Sequence, residues 1–253
     1  MNPYRVLAPV AAVVLVASCS SGGEQTSSPE QAPSPTTPTS VAPTSTAAAN
    51  PYVGRSSAFL ARQLLSAART DNAPKITLLV AAGADIETRD DHERTPLLVA
   101  ATNDGVDAAR ALVTAGADPD ALDDRHDTPW LVTGVSGSVE MAQVLLEADP
   151  DLTVRNRFGG ISIIPASERG HADYVAYVLD HTDIDVDHVN DLGWTALLEA
   201  VILGRGTEPW QRIVDTLMGH GADVSIADRN GITALQHARR LGFTELASLL
   251  ERA

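Results

Sequence analysis

The sequence predicts an all-α solenoid of stacked helix-turn-helix units with projecting hairpin fingers, preceded by a signal peptide and a disordered linker. Three observations support this prediction. The phrase Gly-Ala-Asp occurs at residues 83–85, 116–118 and 221–223, and a threonine stands ten residues after each of its aspartates. Apolar residues make up 44% of the chain, and aromatic residues only 4%. Because the apolar residues are mainly Ala, Leu and Val, the core is expected to consist of small aliphatic contacts between helices.

Residues 1–18 have the pattern of a lipoprotein signal peptide. A short positive start containing Arg5 precedes an apolar run over 6–17, which is too short to span a bilayer as a mature helix. Its last two residues and Ser18 form the sequence Val-Ala-Ser directly before Cys19, the single cysteine of the chain. This order resembles the bacterial lipobox, and the resemblance implies that Cys19 is lipidated and becomes the mature N-terminus.

The expected location is the extracytoplasmic face of a cell membrane. Palmitate or similar acyl chains on Cys19 would anchor the protein there, and the lipid would be its only contact with the membrane. An ordinary secretory signal with an incidental cysteine is the alternative. Both interpretations place the mature protein outside the cytoplasm.

Residues 19–50 are predicted to be a disordered tether. Ser, Thr, Pro, Ala and Gly dominate this stretch, with Glu24 and Glu30 as its only acids. Such a composition buries too little apolar surface to order itself. Proline-rich chains approach about 3.1 Å per residue, so the tether would hold the following domain up to roughly 90 Å from the lipid surface.

Residues 51–253 are predicted to form one repeat domain, because helix-starting residues return at a regular interval. They are separated by 33, 34, 33 and 38 residues, and they are Thr95, Thr128, Ser162, Thr195 and Thr233. The longest interval contains an insertion near 204–210. Threonine caps a helix, and the prolines that follow two of these threonines suit a first turn that needs no donor. Each phrase therefore predicts the start of a helix.

A second helix is predicted to run back after each of these first helices. The turns between them are expected where glycine takes the left-handed conformation that ends a helix, at Gly105, Gly137, Gly170 and Gly242. Apolar residues then recur three and four apart over 106–113 and 139–146, which gives one buried stripe. The Gly-Ala-Asp phrase ends this helix and opens the hairpin finger.

The helix-starting phrases, such as Thr-Pro-Leu-Leu at 95–98 and Thr-Ala-Leu-Leu at 195–198, resemble the Thr-Pro-Leu-His opening of ankyrin repeats. The resemblance covers about 56–253 and implies repeats at about 56–88, 90–122, 123–155, 156–189, 190–227 and 228–253. The last of these has the polar surface of a cap. The chain departs from the family in two ways. The histidine is replaced in every repeat, which removes an inter-repeat hydrogen bond, and Pro165 disturbs the first turn of the repeat at 156–189.

The sequence predicts no enzyme, no cofactor and no metal site. No nucleophile elbow and no phosphate-binding glycine loop occurs in it. The stretch 183–188 begins like a calcium loop, but His188 and Trp194 stand where that loop needs glycine and glutamate. In the register of the repeats, the stretch 183–188 belongs to a hairpin finger. His92 and His126 also lie on fingers, and we interpret them as equivalent fingertip positions. Enzyme activity and calcium binding remain remote alternatives.

The resemblance implies a binding surface on the fingers and first helices. The candidate protein-binding residues are His92, His126, Arg157, Phe158, Asp191, Leu192, Trp194 and Arg229. Phe158 and Trp194 are the expected anchors, because a large aromatic side chain on a finger buries much area on contact. Packing against the adjacent finger is the alternative for both. Trp130 is expected in the core, and Trp210 is expected either to offer a second contact or to pack on the neighbouring helix.

The formal net charge of −15 excludes some classes of partner. An acidic surface repels nucleic-acid phosphates, so the expected partner is another protein with a basic or neutral face. The chain is expected to act as a monomer that scaffolds or regulates this partner. A structural repeat protein of the envelope, with no specific partner, is the alternative.

Overall fold

The computed structural model describes residues 49–252. The expected signal peptide, Cys19 and nearly all of the tether lie outside the described residues. Within the described residues the chain forms twelve helices: α1 (Ser57–Arg69), α2 (Ala73–Ala81), α3 (Pro96–Thr102), α4 (Val106–Thr114), α5 (Pro129–Ser136), α6 (Val139–Leu146), α7 (Ile163–Arg169), α8 (Ala172–His181), α9 (Ala196–Ile202), α10 (Glu208–Gly219), α11 (Ala234–Leu241) and α12 (Thr244–Leu250).

The twelve helices form six pairs arranged in two layers. Each odd-numbered helix packs against the even-numbered helix that follows it and against the odd-numbered helices of the adjacent pairs. The even-numbered helices form the second layer in the same way. In the part of the chain described, the only pairing of strand type is an isolated bridge between Ala227 and Thr233. The predicted all-α solenoid is confirmed.

The predicted threonine caps are present at four first helices. The side chains of Thr95, Thr128, Thr195 and Thr233 each accept a hydrogen bond from the backbone amide three residues later. Thr233 also forms a capping box with Gln236. Pro96 and Pro129 occupy first-turn positions, where a missing donor costs nothing.

The repeat at 156–189 begins differently, as its sequence suggested. Ser162 is already in the helical conformation and makes no capping bond, and the amide of Ile164 donates to the carbonyl of Ile161 at 3.1 Å. Pro165 is the third residue of α7, within the first turn, so its missing donor removes no bond from the helix. The disturbance is therefore confined to the cap.

The glycine prediction for the inter-helix turns holds at three places and is wrong at the first. Gly137, Gly170 and Gly242 are left-handed, with φ of 73°, 81° and 75°. In the turn after α3 the left-handed residue is Asp104, with φ of 54°, whereas Gly105 has φ of −82°. Aspartate tolerates this conformation. Gly105 has another role, since a Cβ there would lie 3.1 Å from Oδ1 of Asp71 in the preceding repeat.

Small aliphatic side chains fill the core, as the composition predicts. Trp130 is 1% exposed, so its expected core position is confirmed. Where the family has histidine, Leu98, Leu131 and Leu198 are buried, and apolar packing replaces the lost hydrogen bond. The hydroxyl of Tyr174 lies 2.6 Å from that of Thr133, and burial raises the pKa of Tyr174 to about 12.

Among residues 49–252 no helix combines the length and the apolar composition needed to cross a bilayer.

Candidate protein-binding groove

The five fingers between the helix pairs share one tip geometry. Each tip begins with an Asp or Asn whose side-chain oxygen accepts hydrogen bonds from the amides two and four residues later. These residues are Asp90, Asp123, Asn156, Asn190 and Asp228. The amide of each one donates to the carbonyl four residues later. Hydrogen bonds within each tip therefore hold its backbone in place, which leaves the intervening side chains free to project.

The fourth residue of every tip is left-handed, and this fixes the register. These residues are Glu93, His126, Gly159, Gly193 and Gly231. His126 is therefore the counterpart of Glu93, and the counterpart of His92 is Arg125. The predicted equivalence of His92 and His126 is wrong, because they are 34 residues apart while their tips are offset by 33.

Hydrogen bonds between neighbouring fingers join the tips into one wall. The amide of Asp124 donates to the carbonyl of His92 at 3.2 Å, and that of Asp191 donates to Phe158 at 2.9 Å. Nε2 of His188 lies 2.7 Å from the carbonyl oxygen of Gly159. The wall therefore presents its side chains in fixed positions.

The calcium-like stretch 183–188 belongs to this finger framework. Oδ1 of Asp185 accepts from the amide of Asp187 at 3.1 Å, and Oδ1 of Asp187 accepts from the amide of Asp223 at 2.9 Å. Within the described residues no group of three or more His, Cys, Asp or Glu side chains is arranged to hold a metal ion.

A groove lies between the fingers and the odd-numbered helices, and one cavity within it measures about 630 Å³. The first three fingers and helices α3, α5 and α7 line it, through residues that include Arg125, Phe158, Val135, Pro165 and Arg169. Its polar lining contains acids as well as arginines. The volume falls in the range of protein pockets that bury a substantial ligand.

Phe158 lines the groove from the third of the five fingers. It is 50% exposed, and Leu192 at the same place of the next finger is 48% exposed. The guanidinium of Arg157 lies 4.5 Å from the centre of the Phe158 ring, and Arg157 also pairs with Asp127 at 3.3 Å. Two neighbouring exposed apolar side chains on a rigid wall are typical of a protein-binding surface.

The remaining candidate residues divide into two groups. Side chains exposed on the tips belong to His92, His126, Arg157, Asp191 and Arg229. Trp194 differs from these because it is partly buried and packs against the core. The packing interpretation therefore fits Trp194, and Leu192 takes its place beside Phe158 as the exposed apolar neighbour.

Trp210 packs on the neighbouring repeat. It is 8% exposed, its Nε1 donates to the carbonyl of Glu168 at 3.1 Å, and its ring covers Gly170. The inserted loop therefore fastens the repeat at 190–227 to the repeat at 156–189.

Sequence reasoning missed Glu199, a buried carboxyl group beside the groove. It is 5% exposed, and its Oε1 accepts a hydrogen bond from Nδ2 of Asn190 at 2.8 Å. Burial raises the pKa of Glu199 to about 7, and the negative charge of Glu168 adds to this, while the bond from Asn190 opposes it. The sequence indicates this residue only through the presence of an acid at position 199, because the equivalent positions of the first two central repeats hold Val99 and Val132.

Stacked helix pairs, hairpin fingers and a lined groove together define a class of repeat scaffolds that bind other proteins. The family model described as ankyrin repeats, in three copies, matches residues 64–156 and 136–226. The chain therefore belongs to the ankyrin-repeat family, as its threonine-led phrases predicted. Ankyrin repeats are in general non-enzymatic scaffolds for protein interaction.

Known proteins agree with this assignment. A 103-residue segment, 41% of this chain, is 47% identical to the ankyrin repeat protein YahD of Escherichia coli (strain K12) and spans 51% of that relative. The chain thus matches about half the length of YahD. An ankyrin repeat domain from Acinetobacter baumannii AYE is 41% identical, with a TM-score of 0.72 over 75% of this chain and 96% of that one. The ankyrin repeat domain of Bcl-3, a member of the IkappaB protein family, is 27% identical, with a TM-score of 0.67 over 75% and 85%.

Proposed function

We propose that this chain is a protein-binding module, anchored by lipid to the extracytoplasmic face of a cell membrane, that scaffolds or regulates a partner protein. The observation that carries the binding proposal is the pair of exposed apolar side chains, Phe158 and Leu192, on neighbouring fingers beside the groove. The groove binds a segment of the partner, and neither catalysis nor a cofactor takes part.

The rigid tips favour tight recognition. Hydrogen bonds within and between the fingers already hold their backbones, so little conformational entropy is lost when a partner binds. Burying Phe158 and Leu192 then supplies most of the affinity. The net charge of −15 attracts a basic partner from a distance, while the arginines inside the groove set the orientation of the bound segment.

The anchor proposal rests on the sequence before the domain. Cys19 is the single cysteine and follows an apolar run and three residues in lipobox order. Several acyl chains on Cys19 provide stable attachment, and the polar tether lets the domain reach partners near the membrane.

The binding proposal is tested by replacing both apolar fingertip residues. Full-length wild type, the double variant Phe158→Ala with Leu192→Ala, and the control Leu78→Ala are expressed in cells, crosslinked with a carbodiimide that couples their carboxyl groups to amines of a partner, and purified. Leu78 is 40% exposed but lies on α2, in the other helix layer. The proteins crosslinked to wild type and to the control should match, and the double variant should lose them by roughly tenfold or more. Identical sets in all three samples would contradict groove binding and favour a structural envelope protein.

A further inference from the structure

A second, smaller cavity lies beside the main groove, between the third and fourth fingers. Its volume is about 170 Å³. Phe158, Leu192 and Leu203 form apolar walls, and Glu168 and Glu199 contribute carboxylates. Pockets that hold a whole small-molecule ligand usually measure about 300 to 1,000 Å³, which is roughly two to six times the volume of this cavity. This cavity therefore has room for about one side chain.

The carboxylate of Glu199 is incompletely satisfied. Its Oε1 accepts the bond from Asn190, but Oε2 accepts no hydrogen bond from any residue of the described chain. Oε2 is also not among the fully enclosed polar atoms, so it retains access to the cavity. A carboxylate in a largely apolar setting gains much from a hydrogen-bonding cation.

No cation of the described chain fills this role. None of the ion pairs within residues 49–252 involves Glu168 or Glu199. Burial of Glu199 and, to a smaller extent, repulsion from Glu168 raise the pKa of Glu199. The cavity thus presents two carboxyl groups that form no ion pair within the described residues, between apolar walls.

We propose that this cavity receives one lysine or arginine side chain of the partner protein. Its aliphatic stem packs between Phe158 and Leu192, and its cationic head donates hydrogen bonds to Oε2 of Glu199 and to Glu168. This inference rests on the proposed function, because it names the chemistry that the groove selects. It assigns to Glu199 a role in specificity beyond its bond to Asn190.

A purely structural role for Glu199 makes a different prediction. In the last repeat Nε2 of His237 lies 2.9 Å from Oδ2 of Asp228, which joins the same helix place to the same finger place as Glu199 and Asn190. A glutamine at 199 could still accept the bond from Asn190. If fastening the finger were its whole role, Glu199→Gln would leave partner affinity unchanged.

The test uses a displayed library of random linear peptides, selected on the immobilised full-length chain. Selected peptides should share a basic residue, and replacing that residue with norleucine should weaken binding by about tenfold or more. Fluorescence anisotropy then gives the affinity of the parent and norleucine peptides for wild type, Phe158→Ala, Glu199→Gln, Glu168→Gln and the control Glu140→Gln. Glu140 is exposed on α6, so its replacement removes the same charge outside the cavity.

Glu199→Gln should weaken the parent peptide by about tenfold and leave the norleucine peptide unchanged, so that the two losses are not additive. Glu168→Gln should weaken the parent in the same direction, and Glu140→Gln should not. Peptides that require Phe158 but show no preference for a basic residue, or that bind Glu199→Gln as well as wild type, would overturn the cavity assignment and leave groove binding standing. Peptides insensitive to both Phe158→Ala and Glu199→Gln would overturn both.

Discussion

Single residues show how closely adjacent repeats approach one another. Gly137 ends α5 in the left-handed conformation, and the ring of His171 from the next repeat lies directly over it. A Cβ at Gly137 would collide with that ring. Gly242 ends α11 in the same conformation, but a Cβ there would meet no atom within 4 Å. Substitutions at the two glycines therefore separate the cost of backbone strain from the cost of a clash between repeats.

Replacing Gly137 with alanine should destabilise the protein more than the same change at Gly242. The left-handed backbone alone costs about 1 kcal/mol at either site, and the displaced His171 ring should add about 1 to 2 kcal/mol at Gly137. Urea unfolding of the two variants measures the difference. Equal losses would show that His171 moves aside without cost.

The pKa of Glu199 predicts a dependence of stability on pH. The folded state raises this pKa from 4.5 to about 7, so the folded chain holds the proton more tightly than the unfolded chain does. The stability from this proton is complete below about pH 4.5 and is lost as the pH rises through about 7, on the order of 3 kcal/mol in total. Glu199→Gln should abolish this loss. Unfolding in urea at pH 5, 6, 7 and 8 tests it, and parallel pH profiles for wild type and variant would contradict the assignment.

At the scale of elements, the helix starts were predictable because they depend on neighbours in sequence. A threonine needs only the amide three residues later, so four caps followed from the phrases alone. The correspondence between tips follows from the spacing of Asp90 and Asp123, whereas the positions of the histidines do not indicate it. Asp104 was missed as a left-handed residue because glycine stands next to it, and the reason for Gly105 lies in another repeat.

The cap of α5 tests whether the threonine hydroxyl stabilises the start of a first helix. Oγ1 of Thr128 accepts from the amide of Leu131 at 3.1 Å, and the residue is buried. Thr128→Ala should cost about 1 kcal/mol or more of unfolding free energy, whereas Thr128→Ser should retain most of the stability because its hydroxyl restores the bond. Thermal and urea unfolding of both variants supply the measurement. A serine variant as unstable as the alanine variant would show that packing, rather than capping, holds this position.

At the scale of the whole molecule, the sequence specified the solenoid more fully than the site. The repeat period and the helix phrases follow from spacing along the chain, and they sufficed for the fold. The small cavity instead combines Phe158 and Leu192 from two fingers with Glu168 and Glu199 from two helices. Their proximity depends on how neighbouring repeats stack, so no local pattern revealed it. The exposure of Phe158 and the partial burial of Trp194 also depend on this stacking, so the sequence alone left both a binding role and a packing role open for each residue.

The proposed membrane anchor is tested at Cys19. Cys19→Ala should remove the site of acylation, so the protein should leave the membrane fraction and lose incorporation of labelled palmitate. Ser20→Ala, adjacent in sequence, should leave both unchanged. Cell fractionation with immunoblotting measures the distribution. A Cys19→Ala variant that stays in the membrane fraction would contradict lipid anchoring.

Whether the groove contacts a partner protein is tested most directly by placing the photo-crosslinking residue benzoylphenylalanine at single positions of the full-length chain in living cells. Lys75 is the single lysine and lies on α2, so amine-reactive reagents sample the groove poorly. Groove binding predicts discrete crosslinked products from position 158 and from position 192, and none from position 78 on the other helix layer. Crosslinks from position 78 alone, or the same products from all three positions, would contradict it.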